Sequence, residues 1–172
     1  LLMVLEIFTF LGAALVFVYY RKNNLDEFVQ SKEMLSTITG TVNTIILITS
    51  GYFMALSVNK LREDKHQESS KLMFFGLVLG IVFLIVKGTE FYLKIESGIG
   101  FNHNTFFTFY WLMTGFHFVH VLFGVGLIAY INKTVKNKKY TSTNMFDVEA
   151  SATYWHMCDL IWILIFPILY LL

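Results

Sequence analysis

Seven ionisable residues stand inside stretches that are otherwise almost wholly apolar: Glu6, Lys87, Glu90, His117, His120, His156 and Asp159. A charged side chain at the centre of a bilayer costs on the order of 2.5–3.5 kcal/mol, so such groups are kept neutral, paired or hydrated. His117 and His120 are three residues apart and share one helical face, and the same holds for His156 and Asp159. Four chemistries suit these types and spacings. The plainest is a lock between crossing helices, imidazole to carboxylate or hydroxyl. The others are a proton relay or water chain, haem ligation by His120 with His156 from facing helices, and a bare metal site. The metal reading lacks an HExxH context, and the single cysteine, Cys158, offers no thiolate set. Glu90, with Lys87 one turn before it and Lys94 one turn after, reads as a local ion pair at the outer end of its span.

The elements that carry these residues follow from composition. Of 172 residues, 56% are hydrophobic and 15% charged, against about 25% charged in soluble domains. A crossing helix needs roughly 20 mostly apolar residues, and five stretches qualify, at about 1–20, 34–58, 72–93, 105–131 and 149–172. The expected fold is therefore all-α, a polytopic membrane helical bundle of five transmembrane helices forming one domain over 1–172. The first stretch has no basic n-region and no small-residue cleavage site before Arg21, so it reads as a span rather than a signal peptide. The sequence opens on Leu1 rather than Met, and residues before it are expected to be missing. The connections are polar, and Gly98 with Gly100 suits a turn after the third span. A net charge of +1 points to no acidic partner and no nucleic acid.

Orientation follows from Lys and Arg. Eight lie in the second and fourth connections (Lys60, Arg62, Lys65, Lys71, Lys133, Lys136, Lys138, Lys139), and four lie on the other side (Arg21, Lys22, Lys32, Lys94). The positive-inside rule places the N-terminus in the cytoplasm and the C-terminus outside. At about 1.5 Å per residue, Glu6, His117, His120, His156 and Asp159 fall at compatible depths, so they are expected to share one buried polar network.

Helix association in lipid relies on close packing and interhelical hydrogen bonds. Ser36, Gly40 and Thr44 repeat every fourth residue, and Gly76 with Gly80 has GxxxG spacing. Gly115, Gly124 and Gly126 are expected to serve similarly. Trp155 and Trp162 line one stripe, with interfacial anchoring open only to Trp155. Helices uninterrupted at mid-membrane argue against a small transporter.

The stretch "FYWLMTGFHFVHVLFGVGLIAYI" resembles the Thr-Gly-x-His-x-x-His-Val-x-x-Gly helix of subunit III of the haem-copper oxidases. "EASATYWHMCDLIWILIFPILYL" resembles that subunit's last helix, and "KGTEFY" looks like its acidic segment. "LEIFTFLGAALVFVYYR" and "TGTVNTIILITSGYFMALSV" are similar to the helices of short five-helix bacterial forms, which include the accessory protein of bacterial nitric oxide reductases. The resemblance implies a non-catalytic membrane subunit of a cytochrome c oxidase-type complex in the bacterial cytoplasmic membrane, serving aerobic electron transport. It implies no cofactor in this chain, with haem and copper in partner subunits and bound phospholipid at its surface. Subunit I and the other subunits of the complex would be its partners, with stabilisation and support of proton uptake as its role. An accessory protein of a nitric oxide reductase and, less readily, a haem b cytochrome are the alternatives. Residue by residue, Glu6 matches the family's intramembrane acid, Glu90 the acid of "KGTEFY", and His156 with Asp159 the last-helix pair. The resemblance implies that Glu6 meets the His117/His120 face.

Overall fold

The computed structural model describes residues 2–172; Leu1, where the first expected span begins, lies outside them. Apolar length sets the main elements: α1 (Leu2–Asn23), α3 (Thr37–Arg62), α4 (His66–Glu96), α5 (Thr105–Lys136) and α6 (Phe146–Phe166). All five are long and apolar enough to cross a membrane. Among the described residues no strand forms beyond an isolated bridge between Thr141 and Asn144. The helices outrun the expected spans, most clearly where α4 begins at His66 and α5 ends at Lys136. Backbone hydrogen bonding continues into the polar flanks once an apolar stretch has nucleated the helix.

The first connection differs from expectation. Instead of an irregular link it folds as a short helix, α2 (Leu25–Glu33). Its Phe28 is buried against Phe17 and Phe106. Glu27 accepts from the backbone N–H groups of Thr105 and Phe106 at the start of α5, at 2.9 and 3.4 Å. A carboxylate there satisfies orphan donors and complements the helix dipole. Asn104 adds a side-chain cap to Phe107, so α2 fixes where α5 begins.

Tight turns close the other helices. Past α4, Gly98 sits at φ +76°, its N–H donating to Ile95 and that of Ile99 to Lys94. This paired 5→2 and 6→1 bonding favours glycine at the left-handed position. Asp64 and Lys138 hold the equivalent place after α3 and α5 with φ of 55° and 54°. The Asp64 carboxylate accepts from the N–H and hydroxyl of Ser142, at 2.8 and 2.9 Å. Those bonds hold its pKa below the usual carboxylate value and join the two turns of the basic side.

The hub is α6, whose apolar window is 56% buried against 17% for α1. It packs on α3, α5 and α1, while α4 pairs most extensively with α3 and also lies against α5. Bulky side chains of α6 seat on glycines of its neighbours. A Cβ at Gly80 would stand 2.7 Å from the Trp155 ring, and one at Gly124 2.8 Å from the same indole. Gly40 receives Phe166 and Tyr170 in the same way. Trp155 is therefore a packing wedge, fully buried, and not an interfacial anchor. Gly115 and Gly126, expected to act like Gly124, face open space.

Candidate functional site

The seven ionisable residues divide into three groups. The densest lies around Lys87, whose side chain is 1% exposed. Its ammonium donates to Glu90 at 3.0 Å, to the Tyr110 hydroxyl at 3.1 Å and to the Tyr170 hydroxyl at 2.6 Å. Both tyrosines donate in turn to the other Glu90 oxygen, at 2.8 and 2.7 Å. Rings of Phe91, Tyr110, Trp162 and Tyr170 surround the ammonium with centroids 4.7 to 5.4 Å away. Lys87 and Glu90 form the local ion pair that their spacing suggests, and it is enclosed by protein with every ammonium proton placed. A buried charge pair survives only when its partners satisfy both ions, and the two hydroxyls do so here. Position along the chain gave depth but not enclosure: α5 and the last turn of the chain close over the pair. Tyr170 reaches it because Pro167, which has no N–H to give, starts a π-helical turn over Pro167–Leu171. Neither charge nor motif marks Tyr110 and Tyr170 in the sequence. The available signal was a phenol inside an apolar span, since a buried Tyr hydroxyl usually needs a partner.

The second group joins α1 to α5. Glu6 Oε2 lies 3.3 Å from His120 Nε2. The other ring nitrogen of His120 donates to the Phe116 carbonyl at 2.8 Å. A carbonyl can only accept, so Nδ1 carries a proton and Nε2 meets Glu6. The contact is a close approach of the two groups, an ion pair when the imidazole is protonated. Tyr154 of α6 donates to the His120 carbonyl at 3.1 Å. His117 does not reach Glu6. It is fully buried, stacked on Trp162 at 5.3 Å with edges from Phe83 and Phe10, and neither ring nitrogen has a hydrogen-bond partner.

The third group, His156 and Asp159, lies against α3. His156 Nδ1 is 3.2 Å from Asp159 Oδ2, and both pack on Gly51, where a Cβ would collide with the Asp159 carboxyl and crowd the imidazole. A side chain at that position is excluded, so the glycine lets the pair sit at the middle of α3. The expected single network is therefore two separate pairs and an isolated histidine. The reason is angular: His156 and Tyr154 are two residues apart on α6 and point to opposite sides of it. The same geometry removes bis-histidine haem ligation, because His120 faces α1 and His156 faces α3. Among the described residues no three His, Cys, Asp or Glu side chains converge as metal ligands.

Hydrogen bonds from the hub link the remaining helices. Trp155 donates to the Ser50 hydroxyl at 3.1 Å, and Ser50 to the Gly76 carbonyl at 2.6 Å, so α6, α3 and α4 are tied in sequence. Trp162 donates to Thr44 at 2.8 Å.

A model of the family described as cytochrome c oxidase subunit III matches residues 31–172. The chain is 32% identical to cytochrome c oxidase subunit 3 of Synechocystis sp., over all of this chain and 73% of that one. It is 32% identical to that of Thermostichus vulcanus over 77% of this chain and 65% of the relative. Identity to the Aedes aegypti protein is 31% over 75% of this chain, which spans about half (48%) of that relative's length. With most of its length matched in the order of its helices, this multi-pass membrane chain belongs to the cytochrome c oxidase subunit III family.

Proposed function

We propose that the chain is a non-catalytic scaffold subunit of a respiratory haem-copper oxidase. It packs in the cytoplasmic membrane of a bacterium against the subunit that bears haem and copper, with its N-terminus inside and its C-terminus outside. The observation that carries the reading is the family match across α3 to α6. The use of the polar groups supports it. Lys87 and Glu90 are enclosed by two tyrosines, Glu6 is engaged by His120, and Asp159 by His156. Glu6, His117, His120, His156 and Asp159 are assigned here to helix contact rather than to redox chemistry. The chain acts as one domain whose electrons and substrate belong to its partners, with phospholipid against its outer faces.

The test is affinity purification of the tagged chain from its native membranes in mild detergent. The expected result is co-elution with a large haem-bearing subunit whose absorption bands leave entirely when this chain is separated from it. Haem bands that stay with the separated chain, or recovery with no haem-bearing partner at all, would overturn the reading.

A further inference from the structure

The third polar group lies on a face that a hydrocarbon surrounding does not suit. The His156 side chain is 42% exposed and stands level with Gly51, in the middle of α3. Its Nδ1 is occupied by Asp159, and among the described residues Nε2 makes no hydrogen bond. Whichever of the two residues holds the shared proton, Nε2 keeps one hydrogen-bonding valence with no acyl chain able to meet it. From His156 a groove of about 400 Å³ runs between α3 and α6 toward the basic end, past Thr153 and Asn59. It finishes at an Arg62–Glu149 ion pair of 2.9 Å. The exposed faces of α1, by contrast, carry Val4, Leu5, Phe8, Leu11 and Leu15, as lipid contact requires. A polar track from the interface to mid-bilayer is costly unless protein covers it.

We infer that the α3–α6 face is the docking surface for a transmembrane helix of the partner subunit. That helix presents a polar side chain to His156 Nε2 and polar or small residues to the groove. Complementarity selects the occupant. Lipid tails satisfy none of these groups, whereas a helix with a hydroxyl, amide or indole N–H at the matching depth satisfies the imidazole and excludes lipid from the groove. The inference rests on the proposed function, since it assigns the surface through which the scaffold holds the oxidase.

A photo-crosslinking amino acid placed at Leu160, exposed and one turn beyond His156, probes this face in the assembled complex. Phe8 on α1 serves as the comparison site. Irradiation in membranes is expected to join position 160, and not position 8, to the haem-bearing subunit. Cross-links from position 8 alone, from position 160 to lipid, or from position 160 to a second copy of this chain would each overturn the inference. A second measurement is His156→Leu. Because that change also takes away the partner of Asp159, the readout is the loss of detergent-resistant complex relative to the amount of folded chain: a docked histidine should lose several-fold, whereas a lipid-facing one should show no loss beyond that of the folded chain. His156→Gln, which keeps a hydrogen-bonding group, should recover part of that loss. A His156→Leu chain that holds the complex as well as the parent does counts against the surface. Should the haem-bearing subunit fail to co-purify even with the unmodified chain, the proposed function itself falls. If it co-purifies but cross-links elsewhere, only this surface does.

Discussion

At the scale of single residues, the cluster around Lys87 carries the largest electrostatic stake in the fold. Its ammonium has three oxygen partners and four aromatic walls, and the residue is buried. Removing one member of a buried charge pair leaves the other uncompensated, which costs about 3–5 kcal/mol. Lys87→Met is therefore expected to lower thermal stability in detergent sharply. Tyr170→Phe, which removes one donor to Glu90 while leaving the ring, is expected to cost about 1–3 kcal/mol. A melting temperature for Lys87→Met equal to the parent's would show that the cluster contributes no net stability. His117 illustrates the opposite case. It occupies the centre of the bundle by shape, through stacking on Trp162, with no hydrogen bond to either nitrogen. The sequence motif makes it look like half of a polar pair, but a three-residue step leaves the two rings about 60° apart around the helix. That difference sends His120 to Glu6 and His117 into the aromatic core.

At the scale of elements, glycines decide how closely the helices approach the hub. Trp155 fits a slot made by Gly80 of α4 and Gly124 of α5. An added methyl must displace an indole that is already hydrogen-bonded to Ser50. Gly80→Ala and Gly124→Ala are each expected to destabilise by about 1–3 kcal/mol through overpacking. Gly88→Ala and Gly126→Ala, where a Cβ meets nothing within 4 Å, should be neutral or gain about 0.5–1 kcal/mol, because alanine is the better helix former. Thermal unfolding of the four variants checks the pattern, and equal effects at all four positions would refute the slot. Periodicity marked Gly76, Gly80, Gly124 and Gly126 alike. Only the contacts separate them, since two residues along a helix rotate a side chain by about 200°. The helix α2 was not legible for a related reason. Nine residues are too few to form a helix alone, and it is held by Phe28 against α1 and α5 and by Glu27 at the start of α5.

At the scale of the whole molecule, the basic turns between α3 and α4 and between α5 and α6 are tied by Asp64 and Ser142. They form one end of the bundle, the end that the proposed orientation, read from the distribution of Lys and Arg, puts in the cytoplasm. A cysteine at Thr143 and one at Asn102 report the two ends. The native Cys158 is buried and should stay silent. Position 102 is expected to react with an impermeant maleimide in intact cells, and position 143 only after lysis; the reverse labelling would invert the topology. The sequence by itself determined the five spans, the all-helical class, the family and the residues that are costly in a membrane. Each of those depends on composition and local order, and the bilayer demands them of any one segment alone. The tertiary structure decided which costly residue meets which. It split one expected network into the Glu6–His120 and His156–Asp159 pairs, left His117 in the aromatic core, and buried Lys87 and Glu90 beneath Tyr110 and Tyr170. Partnership across helices depends on rotation about each axis, and that rotation is set jointly by the glycine slots, the π-helical turn at Pro167 and the wedge of Trp155, which no single span encodes.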